Sequence, residues 1–276
     1  MPPLKVYIQV SLVAIAGLLL GALLFWRLTK AIRARRAGAI AGNLAAVTAF
    51  AAATFGLCYA LIPCFNWPLA SYCRGDAAQK WVALTFDDGP NEPYTSQILD
   101  ILAQKQVPAA FFTVGASVSR SPEVVARMLR EGHTVGNHTQ THRGLITLGP
   151  DEIREELAGW ERAMAPIGAP QPKLFRAPHG WKSPFLGKVL AETGYRLVGW
   201  TRGVWDTDRT GAEVLFHRLT ARPENGMILL LHDGVEGAPG ADRRDLVAVL
   251  PKVIDHYRAL GFRFVRLPEM MRGTDP

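Results

Sequence analysis

The chain divides by its apolar pattern before any single residue stands out. Leu4–Trp26 is interrupted only by Lys5, Gln9 and Ser11, and Ala39–Ile62 has Asn43 and Thr48 as its only strong interruptions. Each run is long enough to cross a hydrocarbon layer of about 30 Å as a helix. From Lys80 the pattern changes to short apolar runs separated by amphipathic stretches. Trp81–Phe86, Ala109–Val114, Lys173–Arg176, Tyr195–Trp200, Met227–Leu231 and Phe262–Val265 read as strands, with a further strand end at Thr134-Val135-Gly136. Between them, Thr95–Gln106 places Ile98, Leu99, Ile101 and Leu102 at helical spacing. Ser121-Pro122-Glu123 opens a helix that Gly132 stops, and Pro150–Met164 carries Asp151 and Glu152 in its first turn. Ser183–Thr193, Ala212–Ala221 and Asp245–Leu260 complete the helices, the first and last stopped by Gly194 and Gly261. This alternation predicts a parallel α/β sheet, open or closed as a barrel.

Charge sharpens the division. Residues 1–76 hold seven Lys/Arg and one acid, Asp76, so of the 31 basic and 24 acidic residues the remainder keeps 24 and 23. The formal charge of +7 therefore belongs almost entirely to the N-terminus, and a nucleic-acid-binding reading loses its support. Arg27, Lys30, Arg33, Arg35 and Arg36 fall between the two apolar runs with no acid among them. A short basic loop between two spans stays on the cytoplasmic side. The expected organisation is a transmembrane hairpin over 1–62, with spans at about 4–26 and 39–62 and a cytoplasmic loop at 27–38. A juxtamembrane linker over 63–79 and an extracytoplasmic domain over 80–270 follow. The alternative for the first run is a cleaved signal peptide, but it has no sizeable basic start and a second span follows it. Small residues in the second run, such as Ala45, Ala49, Ala52 and Gly56, would let two helices approach closely. Cys58 sits in that run as a small apolar residue. Cys64 and Cys73 either stay free or, in an oxidising compartment, close a small loop.

Unusual polar residues gather where strands end, which is where parallel α/β proteins assemble their sites. Asp87 and Asp88 end the first strand before Gly89-Pro90, and Asn137-His138-Thr139-Gln140-Thr141-His142 ends the third. Arg176, Asp206 and His232-Asp233 follow three later strands. Asp-Asp-Gly-Pro alone is equally good turn chemistry. The His-x-x-x-His spacing, alone, fits ordinary surface histidines, whereas with Asp88 it makes an Asp-His-His set for a divalent metal. Successive strand side chains face opposite ways, which leaves Asp87 free to act as a base beside that metal. Arg176 is a candidate clamp on Asp87, His232 a candidate general acid, and Asp206 its orienting carboxylate. His133, His217 and His256 read as structural or solvated. A serine-hydrolase elbow and the glycine-rich phosphate and dinucleotide motifs are missing from the sequence.

The segments Thr85–Pro90, His138–His142, Arg176–Gly180 and Leu229–His232, in that order and with Trp205-Asp206 between the last two, resemble the polysaccharide deacetylases of carbohydrate esterase family four, the NodB-homology domain. The resemblance covers about residues 78–270. It implies a distorted (β/α) barrel and metal-dependent removal of N- or O-acetyl groups from sugars. Carried to this chain, Asp87 is the catalytic base, and Asp88, His138 and His142 hold Zn²⁺ or else Co²⁺, Ni²⁺ or Mn²⁺. Arg176 orients Asp87, His232 is the acid, and Asp206 tunes it. Leu229 lines the acetyl pocket, and the backbone N–H of His179 assists the oxyanion. Two departures stand out. His179 occupies a place where the family often has Tyr or Phe. Trp205 also precedes Asp206, in Trp205-Asp206-Thr207-Asp208-Arg209, where the family often has Asp-x-x-Asp-Trp. The implied substrate is an acetylated, N-acetylglucosamine-containing glycan of the cell wall or an exported polymer. The competing readings are a lipid-linked sugar losing an acetyl or formyl group, and a non-catalytic glycan-binding domain.

Overall fold

A computed structural model describes residues 4–168 and 172–272, with side chains from residue 17 onward. The chain forms two compact units, Met1–Tyr59 and Ala60–Pro276. In the first, α1 spans Leu4–Arg33 and α2 spans Ala37–Leu61. The expected basic loop over 27–38 is mostly helix, because its Arg, Lys and Ala residues favour helix and α1 runs on through Arg33. The chain reverses at Ala34–Arg36, with Arg35 at φ 49°. The two helices come close at Gly21, where a Cβ would lie 3.3 Å from the Phe50 ring. Among the described residues α2 is the one helix long and apolar enough to cross a membrane, with a mean hydropathy of 1.8. The side chains of the first expected span up to residue 16 lie outside those described.

The second unit is built on β1 (Trp81–Asp87), β2 (Ala109–Thr113), β3 (Thr134–Asn137), β4 (Leu174–Phe175), β5 (Arg196–Leu197), β6 (Arg202–Gly203), β7 (Met227–His232) and β8 (Arg263–Phe264). Its helices are α3 (Tyr94–Lys105), α4 (Gly115–Arg120), α5 (Pro122–Arg130), α6 (Pro150–Met164), α7 (Leu186–Thr193), α8 (Ala212–Thr220), α9 (Arg244–Ala259) and α10 (Leu267–Met270). The strands run in the order β5-β4-β3-β2-β1-β7-β6, and β8 adds to the Trp81 end of β1. All seven pairings are parallel, so the sheet is a parallel half-barrel with β1 at its centre. A parallel strand covered on both faces needs a continuous apolar run, which Trp81–Phe86 supplies. Val82, Leu84 and Phe86 pack outward against helices with Leu99, Val253 and Ile254. Ala83 faces inward with Ala110, Phe112, Leu174 and Ile228. Alternation then places Thr85 and Asp87 on the inner face.

Strands β5 and β6 are two residues each and do not pair with one another. Of the run Tyr195–Trp200, expected as one strand, only Arg196–Leu197 pairs with β4, and the next residue, Val198, pairs with Tyr72. Tyr72 N–H donates to Leu197 O at 2.9 Å, and Gly199 N–H donates to Tyr72 O at 2.8 Å. Arg74 bridges Met227 on the far side. The stretch 63–79 therefore does more than link, since it spans the opening of the half-barrel. Cys64 and Cys73 are joined as a disulfide.

Candidate active site

The floor of the site forms where the central strands end. Arg176 leaves β4 fully buried and points across the barrel. Its guanidinium donates to Asp87 Oδ1 at 2.7 Å, to Thr85 Oγ1 at 2.9 Å and to Gly199 O at 2.8 Å. The group lies 4.2 Å from the centre of the Phe112 ring. Burial lowers the Arg176 pKa while the Asp87 charge raises it, so the arginine keeps its proton through its partner. A buried pair of this kind adds little net stability, but it fixes the carboxylate in one orientation.

Asp88 leaves the strand direction at φ 75°, which turns its carboxylate back toward its neighbour's side of the site. Two imidazoles meet it, with His142 Nε2 3.1 Å and His138 Nε2 3.4 Å from Asp88 Oδ1. Neither approach has hydrogen-bond geometry, and this buried oxygen is left without a hydrogen-bond partner. His138 Nδ1 lies 2.8 Å from Arg176 O. A carbonyl only accepts, so Nδ1 carries the proton and Nε2 keeps its lone pair. A carboxylate oxygen and two imidazole nitrogens within 4.8 Å of one another, one of them an orphaned oxygen, fit a divalent cation. Burial pushes the Asp88 carboxyl up, but His138, His142 and the charge of His232 outweigh it and hold the group well below the usual carboxylate range.

The histidine pair is held by a pinned loop, not by a helix. Thr139 and His142 both have positive φ, at 69° and 59°. The Glu156 carboxylate on α6 accepts from Gln140 N, Thr141 N and Thr141 Oγ1 at 2.6–2.9 Å. No sequence spacing announced Glu156.

On the other wall, His232 stands beside Asp87 at the end of β7. Asp206 Oδ1 lies 2.8 Å from His232 Nδ1, and Oδ2 accepts from His232 N–H at 2.8 Å. Arg243, also missed by the sequence reading, donates to Asp206 at 2.6 and 3.0 Å. Burial lowers the His232 pKa, but Asp206 overrides it and raises it to about 9. The next residue, Asp233, is buried with Thr95 Oγ1 donating to it at 2.6 Å, and burial pushes it up to about 7. A Cβ on Gly89 would fall 1.9 Å from the Asp233 carboxylate, so glycine is required there.

The cleft above this floor is lined by His179, Trp181, Trp200, Trp205, Leu230 and Glu236 as well as Asp87, Asp88, His138, His142 and His232. His179, at φ 57°, sits with its ring 5.0 Å from that of His142. Leu229 corrects the expectation. It is fully buried in the outer core, and only its carbonyl reaches inward, accepting from Thr85 Oγ1 at 2.9 Å. Leu229 pairs with outward-facing Leu84 and Leu230 with inward-facing Thr85, so the residue that lines the cleft is Leu230. One position along a strand reverses the face.

A carboxylate and two imidazoles that fit a divalent cation, a clamped second carboxylate and a paired imidazole gather at the strand ends of a parallel half-barrel, an arrangement suited to hydrolysis. The chain belongs to the polysaccharide deacetylase family, whose profile matches residues 74–198. It is a hydrolase acting on carbon–nitrogen bonds. A peptidoglycan-N-acetylglucosamine deacetylase of Bacillus cereus is 34% identical over 199 residues, covering 70% of this chain and 89% of the relative. A chitooligosaccharide deacetylase of a Bradyrhizobium species is 38% identical over 200 residues, covering 68% and 90%. The solved structure of a peptidoglycan N-acetylglucosamine deacetylase bound to 4-naphthalen-1-yl-N-oxidanyl-benzamide superposes with a TM-score of 0.69 at 31% identity, covering 74% of this chain and 94% of that one.

Proposed function

We propose that this chain removes N-acetyl groups from an N-acetylglucosamine-containing envelope glycan, using Zn²⁺, at the outer side of the cytoplasmic membrane. The observation that carries the reaction is the orphaned Asp88 Oδ1 between two imidazole Nε2 atoms, with the clamped Asp87 beside it. Asp88, His138 and His142 would hold a divalent ion, which would supply a Lewis acid for hydrolysis of the acetamide. Asp87, oriented by Arg176, takes the proton from the attacking water. The His179 backbone N–H donates to the oxyanion as it forms, and Leu230 packs beside the acetyl methyl. His232, protonated and tied to Asp206, returns a proton to the leaving amine. Trp181 and Trp205 offer flat faces for sugar rings.

Relatives that act on peptidoglycan and on chitooligosaccharides support a glucosamine-based substrate. The basic residues Arg27–Arg36 and the apolar helices on either side support a membrane hairpin with the 60–276 unit outside. One experiment tests these parts separately. Intact spheroplasts given peptidoglycan fragments or chitooligosaccharides are expected to release acetate, to stop on chelation, and to recover with Zn²⁺. Release only after lysis would overturn the location. Release untouched by chelation would overturn the metal, and no release in either state the substrate.

A further inference from the structure

The far side of the His142 ring has no role in the site just described. Its Nε2 faces Asp88, while Nδ1 is buried without a hydrogen-bond partner in a residue only 5% exposed. Two further donor atoms converge on that nitrogen. Glu236 Oε2 lies 3.3 Å from His142 Nδ1 and 3.6 Å from His179 Nε2. The first contact lacks hydrogen-bond geometry and the second is beyond hydrogen-bond reach. All three ligand atoms lie within 4.8 Å of one another. The His179 and Glu236 side chains remain 37% and 51% exposed, so solvent has access to complete a coordination shell.

We propose that His142 Nδ1, His179 Nε2 and Glu236 form a second divalent-cation site at the mouth of the cleft, sharing the His142 ring with the first. Two imidazole nitrogens and one carboxylate suit Zn²⁺, Ni²⁺ or Cu²⁺ and not Mg²⁺ or Ca²⁺, which prefer oxygen shells. With both sites filled the His142 ring is a bridging imidazolate, and its second ring proton leaves to solvent. The outer site is the weaker one, since two of its three ligands, His179 and Glu236, are exposed, while the side chains of Asp88, His138 and His142 are at most 8% exposed. An ion there stands between His179 and Glu236, where a glycan must enter. One ion per chain therefore serves the reaction and a second obstructs it.

Zinc titration of the full chain in detergent, followed by calorimetry and elemental analysis, tests the site. Two ions per chain are expected in two separable events. His179→Phe and Glu236→Gln, both at solvent-exposed side chains, are each expected to remove the weaker event and keep the tighter one. Saturation at one ion in the unmodified chain overturns the proposal, as does a second ion that survives both substitutions. A single event that Glu236→Gln weakens about tenfold also overturns it, because the carboxylate then orients His142 for the first ion.

Discussion

The floor and the rim of the cleft are built in opposite ways. On the floor, Asp87, His138 and Arg176 are at most 3% exposed, and each sits at the end of a parallel strand. Their polar atoms are held by backbone groups and by one another, from Arg176 on Gly199 O to His138 on Arg176 O. On the rim, His179, Trp181, Trp205 and Glu236 come from loops, and their side chains stand partly in solvent. Rigid strand ends can hold reacting groups within the tolerances that proton transfer demands, whereas loops accept variation without disturbing the sheet. In the proposed function the chemistry belongs to the floor and the choice of glycan to the rim. Substitutions on the two should differ in kind, with the floor changing kcat and the rim changing KM.

The largest effect is expected at Asp87. Asp87→Asn preserves shape and still accepts a hydrogen bond from Arg176, but it cannot take a proton. General-base catalysis contributes about 10²–10⁴-fold, so kcat should fall by about 10³-fold with metal content unchanged. Single-turnover acetate release with parallel elemental analysis checks both. If Asp87→Asn kept most of its activity, the division of labour between the adjacent carboxylates would be wrong.

The sequence made the floor more legible than the rim, for a physical reason. Asp87, Asp88, Arg176 and His232 end apolar runs, His138 and His142 follow the third strand at a four-residue spacing, and costly polar groups placed there carry their own signal. Glu156, Arg243 and Glu236 carry none. Glu156 pins the histidine loop from a helix, and Arg243 reaches Asp206 across 37 positions of chain. Such contacts follow from how the half-barrel closes and leave no local pattern. Leu229 shows a finer limit, since the strand was recognised but its inward parity depends on pairing with β1. The stretch 63–79, with Pro63, Pro68 and Gly75, looked like a linker because its pairing partners, Val198 and Met227, lie over a hundred residues away.

An intermediate effect is expected at the floor's wall, where His232 depends on Asp206. His232 must be protonated to act as an acid, so activity is lost as pH rises through its pKa, which is about 9 in the absence of a bound cation. A nearby divalent charge moves that limb downward. Asp206→Asn turns an amide N–H toward Nδ1, which favours the neutral ring, and burial then lowers the pKa below the ordinary value of 6.5. The alkaline limb of kcat/KM should move by about two pH units or more toward acid. The linkage has the same sign. The raised His232 pKa stabilises the fold fully below pH 6.5, and the contribution is lost as pH rises through about 9. In Asp206→Asn the fall in thermal stability between those limits should shrink. A limb left in place would assign the acid to another group.

The smallest effect is expected on the rim, at Trp205. Its ring is half exposed at the cleft edge, and its backbone sits at φ 55°. Removing the ring leaves Asp206, His232 and Arg243 bonded as before, because Asp206 is held through its own carboxylate and carbonyl. Trp205→Ala therefore takes away a flat apolar face worth about 1–2 kcal/mol to a bound sugar ring. That corresponds to a rise in KM of about 5- to 30-fold, with kcat close to unchanged on a long glycan. On the shortest chitooligosaccharide that still turns over, the penalty should shrink if Trp205 grips a sugar next to the one being deacetylated. It should persist undiminished if Trp205 grips the reacting sugar itself. Measuring KM and kcat across oligosaccharide lengths separates the two. A fall in kcat at every length would show that the rim reaches the chemistry after all, and the contrast with the floor would fail at its most exposed residue.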